Sequence, residues 1–282
     1  KTVTVNGLLA SNRSYNATVD VNVSTGSAVL SGVVAGDLVA VTPNTLACQM
    51  ADKNVGTGKA VTLANVPLRG PDAGNYTGTA GNATVNITPA TAYLYVSRTS
   101  NTDRLYDGTA NAAVSVELIS VYGNDQLTLT HDAPLYSDKN VAYNVSGSVI
   151  GKTISVANAS ISGADVGNYI LNTTTYNNAS GTIRPLPLAV SGVVATNRAY
   201  DGTRDIDVNV AGATVDTSTV VQGDDVSVTL PGSGTVVGTV ASKNVGNNLA
   251  VTVPGFSLSG ADRLNYSVTG SNGVTVNITR KL

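Results

Sequence analysis

Tryptophan is absent, and Cys48, Met50, His131 and Phe256 are each the only residue of their kind among 282. A lone cysteine excludes an intrachain disulfide and any cysteine-based metal cluster, so the core must hold the fold. A lone histidine, with no partner repeated around it, does not supply the oriented base that nucleophilic catalysis needs. No enzyme activity is expected. Charged side chains make up only 12% of the chain, and the net charge of −2 comes from scattered residues of both signs. Phosphate neutralisation needs clustered Lys and Arg, so nucleic acid is not expected as a partner. No apolar run reaches the length that spans a bilayer, so no membrane insertion is expected.

What is plentiful is Gly, Ala, Val, Ser, Thr and Asn, and apolar residues reach 42%. Val and Thr suit a pleated, half-buried surface, while Gly, Asn and Asp suit its turns. The composition reads as all-β. One phrase occurs three times: Gly70-Pro71-Asp72-Ala73-Gly74-Asn75-Tyr76, Gly163-Ala164-Asp165-Val166-Gly167-Asn168-Tyr169, and Gly260-Ala261-Asp262-Arg263-Leu264-Asn265-Tyr266. A fixed long period marks a tandem array. Three domains follow, 1–89, 90–185 and 186–282, with Pro89 and Pro185 marking the short linkers. Each holds about 94 residues, enough for a small core of its own.

The order of segments within a repeat is constant. An opening strand leads to a turn, Tyr106-Asp107-Gly108-Thr109 or Tyr200-Asp201-Gly202-Thr203, which has decayed to Tyr15-Asn16-Ala17-Thr18 in the first copy. Strict alternation follows, as in Val19-Asp20-Val21-Asn22-Val23 and Ile206-Asp207-Val208-Asn209-Val210, which sets one apolar face and one wet face. Gly36-Asp37, Asn124-Asp125 or Gly223-Asp224 precedes another strand, and Asp52-Lys53-Asn54-Val55, Asp138-Lys139-Asn140-Val141 or Ser242-Lys243-Asn244-Val245 comes next. Short strands with turn signals every 8–12 residues or so predict immunoglobulin-like β-sandwiches in an elongated rod. A β-grasp unit with one short helix is the alternative.

The recurring phrase has the spacing of a tyrosine corner. On that reading Tyr76, Tyr169 and Tyr266 bury their rings and return their hydroxyls to nearby backbone. Asp72, Asp165 and Asp262 brace the turn through its own amides, with Asn75, Asn168 and Asn265 part of the same structural lock. Leu264, standing where Gly167 does, predicts an altered or strained third turn.

Taken together, the Tyr-Asp-Gly-Thr, Gly-Asp, Asp-Lys-Asn-Val-Gly and Gly-x-Asp-x-Gly-Asn-Tyr motifs resemble the YDG repeat, a relative of the MBG repeat. Such repeats occur in large secreted bacterial adhesins similar to filamentous haemagglutinin, which leave the cell by two-partner secretion. The resemblance covers nearly the whole chain and departs from the pattern at Asn16, Ala17, Ala142, Ser242 and Leu264. It implies a secreted, cell-surface protein of a Gram-negative bacterium, with these repeats as stalk or adhesive segments.

Calcium is the one ion that the recurrent carboxylates could hold. No Asp-x-Asp-x-Asp-Gly run exists, and the positions drift to Asn16 and Ser242, so turn bracing is preferred and no cofactor is expected. Lys53, Lys139 and Lys243 recur in every copy, which favours structural pairing over a ligand site. Two functions therefore stand. The first is a non-catalytic stalk in cell or biofilm attachment. The alternative is a module that binds a host-cell or biofilm glycan through Tyr122, Tyr136 and Tyr143, beside the seven-residue expansion 142–148 of the second repeat. Lys1 is not an initiator residue, so a monomeric fragment of a longer protein is expected.

Overall fold

The computed structural model describes residues 1–232, 234–268 and 273–282. The chain is all-β, and among the described residues its helical segments are three turns of 3-10 helix: Ala73–Asn75, Val166–Asn168 and Arg263–Asn265. Among the described residues no helix packs on a sheet, which removes the β-grasp alternative, and none is long and apolar enough to cross a membrane.

Residue contacts gather the chain into two compact units. The first holds residues 1–96, 116–132 and 156–176, and the second holds 97–115, 133–155 and 177–282. Each unit thus runs through one linker, and positions 89/90 and 185/186 lie inside a unit.

In the first unit a six-stranded sheet runs in the order Leu9–Ala10, Asp20–Ser24, Thr45–Met50, Gly56–Thr62, Thr84–Thr88, Arg13–Ser14. A four-stranded sheet has the order Val29–Ser31, Thr2–Asn6, Thr77–Ala80, Asn65–Val66. Alternation decides which side chains go inside: Val21 and Val23 are buried between exposed Asp20 and Asn22, and Val3 and Val5 are buried on Thr2–Asn6. Each such burial stabilises by roughly 1.5–3 kcal/mol. The same core cluster continues past Pro89 into Ala90, Ala92 and Tyr169, with Leu118, Val121, Leu127 and Ile161 packed against it.

The second unit repeats the six-stranded sheet, while opposite it Leu186–Leu188 pairs with Tyr266–Val268 and Val190–Ser191 with Thr214–Val215 as separate ladders. Its six-stranded sheet runs Val194–Ala195, Asp205–Asn209, Thr235–Val240, Gly246–Thr252, Thr275–Thr279, Arg198–Ala199. Ile206, Val208, Val251, Val276 and Ile278 form the centre of its core.

The linkers are built as strand. Thr84–Thr88 pairs in parallel with Arg13–Ser14, and one residue later Ala90–Arg98 pairs in parallel with Tyr169–Leu171. Pro89, which has no N–H to give to either ladder, sits at the changeover. In the second unit Ile183–Arg184 pairs with Arg104–Leu105, and after Pro185 the strand Leu186–Leu188 pairs with Tyr266–Val268. The chain therefore enters each new repeat beside that repeat's recurring tyrosine.

Candidate functional site: the joint between repeats

The tyrosine turn is prepared locally. Asn16 Oδ1 accepts the Thr18 N–H at 3.1 Å and the Thr18 hydroxyl at 2.9 Å, and Asp107 and Asp201 do the same for Thr109 and Thr203. An arginine two residues before the tyrosine clamps the other side. Arg104 reaches Asp107 at 2.6 Å and donates to the carbonyls of Leu105, Thr109 and Asn111; Arg13 and Arg198 repeat the arrangement. These arginines were not singled out in the sequence, although Arg-x-Tyr stands in all three copies.

This turn presents Tyr15, which is 1% exposed, to the second repeat. Its hydroxyl donates to Asp125 Oδ2 at 2.7 Å. Tyr169 donates to the same oxygen at 2.7 Å and accepts the Tyr122 N–H at 2.9 Å. The two rings meet edge to face, 5.4 Å between centroids, an arrangement worth about 0.5–1.5 kcal/mol beyond burial. The Lys53 ammonium donates to Asp125 Oδ1 and lies 5.6 Å from the Tyr15 ring centroid. The side chain of Asp125 is only 2% exposed. A carboxylate so buried would take up a proton if unpartnered, and here two phenols and an ammonium satisfy it. Asn168 closes the joint: its Oδ1 accepts the Val55 N–H at 2.9 Å and its Nδ2 donates to Asn54 at 3.0 Å.

The second unit builds the joint again from the equivalent residues. Tyr106 and Tyr266 donate to Asp224 Oδ2 at 2.8 and 2.7 Å, and their rings stand edge to face at 5.5 Å. Lys139 reaches Asp224 at 3.1 Å. Asn265 accepts the Val141 N–H at 2.9 Å and donates to Asn140 at 3.0 Å.

Electrostatics follow from this geometry. Burial opposes ionisation of Asp125 and Asp224, but the ammonium and the paired hydroxyls outweigh it and hold both carboxyls below their ordinary value of 3.8. Tyr169 and Tyr266 are pushed up from 10.0 to about 12, chiefly by burial and also by the adjacent carboxylate. The Lys53 ammonium is raised by its bond to Asp125, and that of Lys139 by Tyr106 and Asp224.

Several sequence expectations change. The recurring tyrosine does fold its ring inward, and its hydroxyl takes a backbone N–H. It also reaches the carboxylate of the Gly-Asp motif, as Tyr76 does with Asp37 at 2.6 Å. Asp72, Asp165 and Asp262 make no cap bond to their own turn. They accept instead from the backbone of the Gly-Asp loop, at Leu38, Gln126 and Asp225. Leu264 leaves the turn unaltered, since Gly74 and Gly167 occupy ordinary helical backbone that any residue adopts. The glycine that matters is the first of the phrase. Gly70, Gly163 and Gly260 have φ of +118°, +123° and +100°, and a Cβ there would lie 2.2–2.3 Å from a carbonyl oxygen of the Gly-Asp loop.

The tyrosines expected to stack on sugar fare differently. Tyr136 is 2% exposed, its hydroxyl spent on the Thr102 carbonyl and its ring under Arg104, so it offers no face to a ligand. Tyr143 is half-buried and donates to the Leu264 carbonyl at 2.8 Å, a tie across the second joint. Tyr122 is exposed, with its ring edge-on to Tyr15 at 6.2 Å. His131 is exposed and bonds the adjacent Asp132 carbonyl; Cys48 is buried. Among the described residues no three His, Cys, Asp or Glu side chains gather as a metal site.

The sequence pattern of the YDG domain matches three times, over residues 1–84, 88–176 and 184–273. The chain belongs to the YDG domain family. Its two complete joints each lie where one YDG domain meets the next. No curated protein matches the chain. Among solved structures it is similar to the three N-terminal domains of the bacteriophage RB49 highly immunogenic outer capsid protein, with 11% identity over 100% of this chain and 99% of that one, at a TM-score of 0.23. Drosophila N-cadherin EC1-3 gives 7% identity over 96% and 98%, at a TM-score of 0.22. At those scores neither likeness carries an argument about the YDG repeats.

Proposed function

We propose that this chain is a non-catalytic spacer segment of a secreted adhesin on the surface of a Gram-negative bacterium, exported by two-partner secretion. It serves cell or biofilm attachment by holding a binding region that lies elsewhere in the protein. One observation carries the reading: a buried Tyr–Asp–Tyr–Lys joint is built twice from equivalent residues. A segment whose recurrent polar residues are spent on fixing one repeat to the next is organised as a spacer. Host-cell or matrix glycans and proteins are then partners of the parent protein.

The glycan-binding alternative loses Tyr136 to burial and Tyr143 to its bond with Leu264. Binding of the purified chain to host-cell monolayers and to extracted biofilm matrix tests the two readings. The spacer reading expects no saturable binding. Saturable binding that disappears on deleting residues 142–148 would replace it with the glycan-binding reading.

A further inference from the structure

Strict alternation covers one face of a strand and wets the other, as on Asp20–Ser24. Ala90–Arg98 is apolar on both. Ala90, Ala92, Leu94 and Val96 lie in the core and are at most 6% exposed. The residues between them face outward, and two of these are Tyr93 and Tyr95, each 46% exposed. Apolar residues on both faces are the pattern of a strand covered on both sides. The described residues cover only one. The flanking strands extend the outer face, in the order Val114–Ile119, Ala90–Arg98, Tyr169–Leu171. Thr91 pairs with Ile170, which is 53% exposed, and Ile119 on the other flank is 43% exposed.

The fold does not require these side chains. By the strand pairing beside each recurring tyrosine, Tyr93, Tyr95 and Ile170 stand where the first repeat has Thr4, Asn6 and Thr77. The third repeat has Ala189, Ser191 and Ser267 there. Ile119, three residues before the N–H that the recurring tyrosine accepts, stands where the first repeat has Ser31. Positions that are small or polar in the other repeats are thus large and apolar in the second, which has a neighbour on both sides within this chain. The two rings and two isoleucines leave about 400 Å² open, within the range of patches that mark interaction sites. With Thr91, Glu117 and Asn172 at the rim the face reaches about 600 Å², and two such faces would bury about 1,200 Å², the lower end for specific protein contacts. None of these seven side chains is cationic, so nothing in the face selects an acidic partner. A flat face without strong charge is complementary to itself.

We propose that this face pairs with the same face of a second copy, sheet on sheet, with Tyr93, Tyr95, Ile119 and Ile170 at the centre of a weak two-fold contact. Sheets that pack this way interdigitate their side chains at a spacing of about 10 Å. Each copy offers the same patch, so the contact closes at a dimer. The inference goes beyond the spacer reading, since it concerns how one such segment lies beside another.

Sedimentation equilibrium of the full chain tests this, beside variants that place first-repeat residues in the second repeat. One carries Tyr93→Thr with Tyr95→Asn, and the other Ile119→Ser with Ile170→Thr. Val145→Ser, at an exposed apolar residue of the expansion 142–148, is the control. The parent's weight-average mass should climb with concentration towards twice that of the monomer by about 1 mM and level off there. Val145→Ser should follow the parent. Both face variants should stay monomeric while keeping the parent's circular-dichroism spectrum, and if one unfolds the other carries the test. A parent chain that stays monomeric throughout overturns the proposal, as does a dimer that survives in a folded face variant or a mass that grows past the dimer. A monomeric parent whose mass rises only on adding extracted matrix polysaccharide would give the face to a sugar, and overturns it too.

Discussion

The two joints share their polar centre and differ in the apolar contact around it. In the first, the turn carries Ala17 at φ +62° and Tyr122 packs its ring edge against Tyr15. In the second, Gly108 at φ +78° backs directly onto Val221, with no room for a Cβ. Position 122 or 221 lends its N–H to the recurring tyrosine in both joints, whatever its side chain. The carboxylate, two phenols, lysine and asparagine amide are thus the invariant part. The rim is exchangeable, so a change from Gly to Ala in the turn is tolerated only beside a suitable neighbour.

The largest effect should come from removing the shared centre. Asp224→Ala strands two buried phenols and a lysine, and should lower the urea stability of the second unit by about 3 kcal/mol. Asp125→Ala should cost the first unit the same to within about 1 kcal/mol, the two sites being independent. A loss below about 1 kcal/mol at only one of them would show that the centres are not equivalent.

Changes at the rim should separate the joints. Gly108→Ala combines a positive φ with a clash against Val221 and should destabilise by about 2 kcal/mol. Adding Val221→Ala should recover part of that loss. At the first joint the reverse change, Ala17→Gly, should shift stability by no more than about 0.5 kcal/mol, strain relief being offset by a freer unfolded chain. Equal responses at positions 17 and 108 would erase the distinction.

The smallest effect needs no substitution. The carboxyls titrate lower when folded, so their contribution is present above 3.8 and is lost as pH falls below it. Tyr169 and Tyr266 titrate higher when folded, so theirs is present below 10.0 and fades as pH rises through about 12. Between those limits stability should be flat in pH. As pH rises from 10 towards 12 each unit should lose stability, read as the shift in urea midpoint, and Tyr169→Phe or Tyr266→Phe should reduce that loss. A reduction at Tyr169→Phe but none at Tyr266→Phe, or the reverse, would break the equivalence from the opposite side.

The architecture was legible because alternation and turn residues are local signals: Val21 and Val23, or Ile206 and Val208, announce their own burial. The phrase ending in Tyr169 was legible as a lock because it recurs with its spacing intact. What the lock fastens was not, because Tyr15 and Asp125 lie 110 residues apart and each looks complete within its own repeat. Repetition in every copy pointed to structural pairing for the lysines, yet it concealed that the pairing runs from one repeat to the next. Lys243, present in sequence and unpaired among the described residues, is the mark of that offset. Tyr136 misled for a plainer reason, since nothing in sequence distinguishes a tyrosine buried beneath an arginine from one on a sheet edge.

The strand that changes ladders at Pro89 also ties the completion of one repeat to the presence of the next. Repeat one can form its own sheets as soon as residue 88 is available, with the clamped turn at Arg13 already holding Tyr15 in place. Tyr15 and Lys53 then wait for Asp125 and Tyr169, so the first repeat acquires its full stability only after most of the second has been made. Contacts this distant in sequence form late, and each repeat acts as the finishing step for its predecessor. An array built this way closes from its N-terminal end, one tyrosine at a time.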